Sequence, residues 1–238
     1  MFIRYMFIGK AMPLHHPNEN LLTEFASGTL PIAQAVAVKT HLHFCSECRQ
    51  SVQKMESFGG ALLEKLEPQP TPLDSFDNLM NSIEASSKNV AQTSEAIASP
   101  RHSLNNNLNN KTLPKLIQKL INNEPLQWKK INRTLQTAPL TVGQNQYQVS
   151  LQRIEAGDSA PEHDHRGVEI TVVLEGSFSD TKGIYQEGDF LVKEPGDIHQ
   201  PISARNQHCL CLSVEEAPVK LTGIWGKLLN PFIRLNAA

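Results

Sequence analysis

The first third of the chain repeats apolar and polar positions with the period of an α-helix. Three segments, residues 18–30, 31–44 and 47–66, place apolar side chains three and four positions apart, as one face of a helix requires. An asparagine opens the first segment and Pro31 opens the second, and both residue types are common at helix N-termini. The pattern therefore predicts three helices, with a kink or break at Gly59–Gly60 inside the third.

A fourth candidate helix, TPLDSFDNLMNSIEA, carries a stripe that is unusually apolar for so short a segment. Either this stripe packs on the first three helices, or it is offered to a partner protein. We name it the apolar stripe, and it consists of Leu73, Phe76, Leu79, Met80 and Ile83.

The residue composition and the pattern of apolar positions change after this helix. Residues 86–112 hold no aromatic and few apolar residues, which predicts a flexible linker. A short helix, LPKLIQKLINN, follows, and then come strand-like runs separated by Gly, Asp and Pro: YQVSLQRI, EITVVLEG, GDFLVK and HCLCLSV. We therefore predict an α+β chain of two domains, a small all-α domain over 13–85 and an all-β domain over 113–238.

Composition and charge give no support to several classes of function, among them nucleic-acid binding and membrane association. A net charge of -2 over 238 residues gives no reason to expect direct nucleic-acid binding or a membrane surface, and no apolar run approaches the roughly 20 residues of a membrane span. The apolar start, MFIRYMFIGKAMP, is too short and interrupted for a secretion signal. Four cysteines in a chain this long favour a reducing, cytoplasmic location with thiols or metal ligands.

The stretch HLHFCSEC concentrates histidines and cysteines. On a helix, His41, Cys45 and Cys48 would lie within about 60° of one another, whereas His43 lies about 200° from Cys45. This spacing selects His41 rather than His43 as a ligand. Thiolates and imidazoles suit Zn²⁺, which takes four ligands in structural sites, so one more ligand is needed. The His15–His16 pair offers nitrogen donors upstream.

Two other interpretations of this stretch stay open, a dithiol redox pair and two unrelated buried thiols. A zinc deaminase is disfavoured, because its signature needs a glutamate where His43 stands and a proline where Phe44 stands.

A second cluster lies in the β-rich half. His163 and His165 are two apart and so share one face of a strand, and Glu169 keeps that face if the strand continues. The later segment GDFLVKEPGDIH ends at His199, which would close the set from a neighbouring strand. Three imidazoles and one carboxylate would bind Zn²⁺, Fe²⁺ or Mn²⁺.

The first cluster resembles the zinc-binding anti-sigma factor family. The pattern His41-x3-Cys45-x2-Cys48 at the junction of two helices is similar to that family's motif, and the family's upstream histidine matches His16 better than His15. The segment LLTEFASGTLP also resembles the family's first helix and turn.

The second cluster resembles the two motifs of the cupin family, a double-stranded β-helix barrel. The first motif, from Gly157 to Gly176, matches in full. The second departs from the pattern in that Pro195 comes one residue late and Ser203 replaces an asparagine, but neither is a ligand position. A cupin without metal, or histidines gathered by chance, are the alternatives.

Together the two halves resemble the ChrR group of anti-sigma factors. The resemblance implies N-terminal zinc and a cupin metal, with zinc favoured there over iron or manganese. It implies a regulator of transcription rather than an enzyme, whose partner is an extracytoplasmic-function (ECF) sigma factor released on singlet oxygen or organic peroxide stress. The implied ligands are His16, His41, Cys45 and Cys48 for the first site, and His163, His165, Glu169 and His199 for the second.

Cys209 and Cys211 share one face of a predicted strand. They are either small buried residues or oxidisable thiols that face the cupin metal, and the family carries a similar pair. Two alternative functions stay open. One is a dioxygenase-like cupin enzyme with an accessory zinc module, and the other is a redox-switched thiol module around Cys45 and Cys48.

Overall fold

The computed structural model describes residues 12–67, 76–84, 113–123, 126–144 and 146–222. The chain packs into two compact units, one formed by Met1–Phe58 with Leu108–Ala238 and the other by Gly59–Asn107. Most of the predicted linker over 86–112 lies outside the described residues, so the predicted domain boundaries stay predictions.

The described part of the chain contains five helices. The side chain of Asn18 caps the first by accepting the N–H of Leu21 at 2.9 Å, and Gly28, at φ 73°, ends it. The third continues through Gly59 and Gly60, so the predicted break is absent. The helices are α1 (Glu19–Ser27), α2 (Ile32–Phe44), α3 (Ser46–Leu63), α4 (76–84) and α5 (Lys115–Asn123).

Among the described helices, none is by itself long and apolar enough to cross a membrane. Only α1 and α2 taken together meet that length and composition, and the two are bent by 108°.

Eleven strands make up the β-rich half of the described chain, and the four strand-like runs of the sequence correspond to β3, β5, β8 and β10. The strands are β1 (Lys129–Lys130), β2 (Leu135–Pro139), β3 (Gln148–Ile154), β4 (His163–Asp164), β5 (Glu169–Glu175), β6 (Ser177–Ser179), β7 (Ile184–Gln186), β8 (Phe190–Lys193), β9 (Ile202–Ser203), β10 (Cys209–Glu215) and β11 (Lys220–Leu221). The predicted α+β fold class, helices followed by a cupin-like β domain, is confirmed.

The largest sheet has six strands in the order β1-β2-β3-β10-β5-β8. A three-stranded sheet, β7-β6-β9, and the pair β11-β4 complete the β module. Alternation along β10 gives the large sheet two faces. Cys211 and Glu215 line a cavity inside the module, whereas Leu210 and Leu212 belong to the main apolar core.

Helix α2 lies against the outer face of the large sheet and contacts β5 and β10. Its residues Ala33, Ala37 and Val38 are fully buried and share one core with Leu210 and Leu212. Because α2 also contacts α1 and α5, apolar residues on several of its sides are covered, while Ile32, Lys39 and His43 are exposed. Within this unit, the N-terminal helices and the β module are therefore parts of one packed body.

Candidate metal centres

The N-terminal cluster forms where α2 meets α3. His41 lies on the last turn of α2, Cys45 is the residue that ends this helix, and Cys48 lies on the first turn of α3. The helix therefore ends at Cys45, which has an extended backbone (φ -101°, ψ 111°), and a turn leads from it into α3. His43, which the spacing excluded, is exposed.

The structure brings His16, His41, Cys45 and Cys48 together, with all four potential ligand atoms within 4.8 Å of one another. His16 Nδ1 lies 3.5 Å from Cys45 Sγ and 3.4 Å from Cys48 Sγ. His41 Nε2 lies 3.3 Å from Cys48 Sγ. Tetrahedral zinc with two sulfur and two nitrogen ligands would place these atoms ~3.3–3.8 Å apart, so the residues fit such an ion.

Burial keeps the His41 imidazole and the Cys48 thiol of this cluster uncharged in the absence of a metal. Burial lowers the pKa of His41 to about 4, although the carbonyl of Gly188 acts in the opposite direction. Burial, together with Cys45, raises the pKa of the Cys48 thiol to about 12. The backbone N–H of Cys48 points at Cys45 Sγ at 3.4 Å, a contact that would stabilise a metal-bound thiolate.

The cupin cluster is gathered from separate strands. His163 lies on β4 and Glu169 opens β5, whereas His165 follows β4. His199 reaches the cluster because it forms a β-bridge with His163, with reciprocal N–H···O distances of 3.1 Å. The ligand atoms of these four residues also lie within 4.8 Å of one another.

Each histidine of the cupin cluster has its Nδ1 beside an acceptor. His163 Nδ1 lies 2.8 Å from the carbonyl of Pro161, and His165 Nδ1 lies 2.9 Å from that of Asp197. His199 Nδ1 lies 3.2 Å from the Asp180 carboxylate. Because these oxygens only accept, each Nδ1 carries the hydrogen and each Nε2 keeps a lone pair for a metal.

The Nε2 atoms converge on one point. His199 Nε2 and His163 Nε2 are 3.0 Å apart, and His165 Nε2 is 2.9 Å from Glu169 Oε2. Facing lone pairs repel one another unless a cation lies between them, so the residues fit a divalent metal. Burial opposes ionisation of Glu169, but the close contact with His165 and the neighbouring imidazoles bring its pKa down to about 2.

A buried ion pair supports His199. Asp180 Oδ2 accepts from Lys193 Nζ at 3.0 Å as well as facing His199, and Asp180 is fully enclosed. Burial opposes the charge of Asp180, yet the hydrogen bond from Lys193 and its other donors lower the pKa of Asp180 to about 2. The carboxylate therefore stays ionised and orients the His199 ring.

A cavity of about 490 Å³ opens beside the cupin cluster, and His163, Glu169 and His199 form part of its wall. Glu215 also lines it and accepts from Gln152 Nε2 at 2.9 Å. Burial and the nearby Glu169 raise the pKa of Glu215 to about 8, a shift that favours the protonated acid. Much of the remaining wall is apolar, including Ile131, Leu135, Ile154, Phe178, Val219 and Leu221.

Cys209 and Cys211 point to the same side of β10, as predicted, with their Sγ atoms 3.6 Å apart. Both are buried free thiols, and only Cys211 reaches the cavity. The hydrogen bond with Cys209 and burial raise the pKa of Cys211 well above the ordinary value. Such a thiol is a poor nucleophile, and a redox role for the pair stays a prediction.

The apolar stripe is in part on the described helix α4. Phe76, Leu79, Met80 and Ile83 are exposed there by 41–63%. Leu73 lies outside the described residues. A partner contact by this stripe stays a prediction.

Sequence reasoning missed the residues that surround the two clusters. Asp180 and Lys193 are far apart in the chain, and no spacing rule connects either of them with His199. Gly188 and Asp189 open the strand-like run GDFLVK. The combination of glycine and aspartate at a turn was a signal, but it did not indicate a contact with the chain's N-terminal segment.

The comparisons agree with this geometry. Residues 118–219 match the family model described as the ChrR cupin-like domain. The anti-sigma-E factor ChrR of Cereibacter sphaeroides is 29% identical over 221 residues, which cover 93% of this chain and 98% of the relative. The crystal structure of Rhodobacter sphaeroides SigE in complex with the anti-sigma ChrR matches with a TM-score of 0.65 and 28% identity, over 84% of this chain and 98% of the solved one.

The similarity to the ChrR anti-sigma factor therefore covers most of the chain rather than the β module alone. Within it, residues 118–219 of the C-terminal module are similar to the ChrR cupin-like domain.

Proposed function

We propose that this protein is a cytoplasmic anti-sigma factor that binds an ECF-type sigma factor and thereby represses transcription from that factor's promoters. The observation that carries the proposal is the similarity to the anti-sigma ChrR of a solved SigE complex, at 28% identity over 84% of this chain. In this proposal the N-terminal helices and α4 bind the sigma factor, and the protein does not act as an enzyme.

The four N-terminal donors, His16, His41, Cys45 and Cys48, would hold zinc. A zinc ion there would supply structural cross-linking rather than chemistry, because all four donors come from the protein. It would tie the segment before α1 to the α2–α3 junction, where a small helical core has few other constraints. The helical surface that meets the sigma factor would therefore depend on this cluster.

The cupin cluster would hold a second metal, zinc by preference, with iron or manganese as alternatives, and would act as the sensor. Singlet oxygen or an organic peroxide would change this module and lower the affinity of the helices for the sigma factor. Such release requires a difference in free energy between the bound and released states. The packing of α2 against β5 and β10 supports a direct route for this signal.

The proposal is tested by mixing the purified chain with an ECF-type sigma factor of the same organism and measuring the complex by size exclusion. Replacing Cys45 and Cys48 together by Ser should abolish the complex, since the N-terminal cluster then loses its sulfur ligands. The matched control replaces Cys209 and Cys211 by Ser, and it should leave the complex intact. A complex that survives the first double substitution would contradict the role of the N-terminal zinc.

The cavity beside the cupin cluster favours a second candidate, a metal-dependent cupin enzyme of the dioxygenase type. A volume of about 490 Å³ is in the range of small-molecule sites, and three cluster residues line it. Oxygen uptake by the iron-loaded protein in the presence of a substrate would favour the enzyme. Zinc at both clusters without turnover would favour the regulator.

A further inference from the structure

We propose that Gly188 and Asp189, in the turn between β7 and β8, are positioning residues for the N-terminal metal cluster. Neither residue belongs to the four-residue cluster of either module. Both lie in the cupin module. Gly188 nevertheless contacts His41, and Asp189 contacts the residues directly before His16, so each reaches one of the two histidines of the N-terminal cluster. The inference concerns metal binding alone and does not require the proposed sigma factor.

Gly188 acts on His41 through its backbone carbonyl. His41 Nδ1 lies 2.7 Å from Gly188 O, in a fully buried environment. Because the carbonyl can only accept, His41 Nδ1 must donate, and Nε2 is left with a lone pair directed at Cys48 Sγ. The cupin turn therefore sets both the tautomer and the ring orientation of an N-terminal ligand.

Asp189 acts on the segment that carries His16. Its fully buried Oδ1 accepts the backbone N–H of Leu14 at 2.6 Å and that of His15 at 3.0 Å. Its Oδ2 accepts from the N–H of Gln186 at 2.8 Å, within its own turn, and lies 3.2 Å from His15 Nδ1. One carboxylate thus joins the turn to the residues directly before His16.

The strand that follows adds a further bond. The N–H of Phe190 donates to the carbonyl of His15 at 3.0 Å. Hydrogen bonds therefore hold the backbone on both sides of His15, and His16 follows with its Nδ1 3.4 Å from Cys48 Sγ. A movement of the turn would shift both histidines of the N-terminal cluster.

The close approach requires a glycine at position 188. A Cβ atom there would lie 2.6 Å from the Cβ of Phe44 and 2.7 Å from the Cγ of Pro13, and φ is +91°. Gly196, in the next turn of the same module, has the similar φ of +98°, but a Cβ there would meet nothing within 4 Å. Alanine at either position would strain the backbone, but only alanine at position 188 would also collide with the N-terminal segment. Comparing the two variants therefore distinguishes the effect of backbone strain from the effect of the lost contact.

The test uses cobalt in place of zinc, because of the two four-residue clusters only the N-terminal one contains cysteines, whose thiolates give Co²⁺–thiolate charge-transfer absorption. The full chain is titrated with Co²⁺ and that absorption is followed. Gly188→Ala should bind Co²⁺ at the thiolate cluster about 10–100-fold more weakly than Gly196→Ala, as loss of an orienting contact to a metal ligand does.

A second pair of variants tests the carboxylate of Asp189. Asp189→Asn should also weaken the thiolate-bound Co²⁺ by about 10–100-fold. Its control is Glu216→Gln, the same change at a carboxylate that accepts the N–H of Val168 at 3.0 Å within the β module. Where Gly188→Ala does not fold, this pair decides alone.

Equal Co²⁺ affinity of Asp189→Asn and Glu216→Gln, or of Gly188→Ala and Gly196→Ala, would overturn the proposal. The absorption involves no sigma factor, so a negative result here leaves the anti-sigma function standing. Conversely, a chain that binds no sigma factor would still give the predicted cobalt spectra.

Discussion

At the scale of single residues, acceptors on the protein decide which nitrogen each histidine offers. Asp180 is the charged member of this set, and it serves both His199 and the buried Lys193. A carboxylate in this position orients the ring and increases the basicity of its free nitrogen. Metal binding at the cupin cluster should therefore depend on a residue that is not itself a ligand.

We expect Asp180→Asn to weaken metal binding at the cupin cluster by about 10–100-fold, because the amide removes the charged acceptor of His199. Metal content after dialysis against a weak chelator measures this, and the Co²⁺–thiolate absorption of the other cluster should not change. Lys193→Met keeps the acceptor of His199 and should lose less metal. Equal losses in both variants would show that Asp180 acts only through its ion pair.

The ligand residues could be predicted from the sequence, because histidines and cysteines at short, regular spacings can be recognised without knowledge of the fold. The pairs Cys45/Cys48 and His163/His165 are local in sequence, and the structure gathers both predicted sets. Helix α2 ends at Cys45, so the turn between α2 and α3, rather than one continuous helix, brings Cys45 and Cys48 to His41. Contacts such as Asp180–His199 and Asp189–Leu14 could not be predicted, since they join residues that only the fold brings together.

At the scale of elements, helix α4 differs from α2 in what covers its apolar side chains. Phe76 and Leu79 are 63% and 57% exposed, whereas α2 buries Ala37 and Val38 completely. An exposed stripe of large apolar residues on a short helix is typical of a surface that binds a partner. This is the face that we expect the sigma factor to cover.

We expect Leu79→Asp and Ile83→Asp to weaken sigma factor binding by at least about 2 kcal/mol each, since each would place a charge in an apolar interface. Calorimetric titration measures the loss. The control is Ile184→Asp on β7, because Ile184 is an apolar side chain with 72% exposure in the β module. Unchanged affinity in the α4 variants would exclude this face as the contact.

Strands of seven residues could be predicted from their runs of Val, Ile and Leu, as in β5 and β10. The strands β4, β9 and β11 have only two residues each, which is too few to show a periodic pattern in the sequence. Such short strands form only where the longer strands of the fold hold them in place. His163 lies on one of them, so its partner His199 could be suggested by the cupin resemblance but not by local pattern.

At the scale of the whole molecule, the helices and the cupin module were expected to be separate bodies joined by a linker. The larger compact unit instead combines residues from both, with α2 and α5 in the same core as Leu210, Leu212 and Val214. Separation would expose this apolar surface to water, at a cost of roughly 25 cal/mol per Å². A structural change in the cupin module can therefore reach the helices through packed contacts.

We expect that a protease site placed within residues 86–112 can be cut without separating the two halves. The fragments should elute together at the size of the intact chain, because the shared core holds them. A denaturing gel confirms the cut, and the uncut chain is the reference. Two separate peaks would contradict the shared core.

The central claim is that this chain represses an ECF sigma factor. It is tested by run-off transcription with RNA polymerase and an ECF-type sigma factor of the same organism, to which the purified chain is added. We expect transcription to fall to background when the chain and the sigma factor are equimolar, and the Cys45→Ser/Cys48→Ser variant to have no effect. Unchanged transcription at a large excess of the native chain would contradict it.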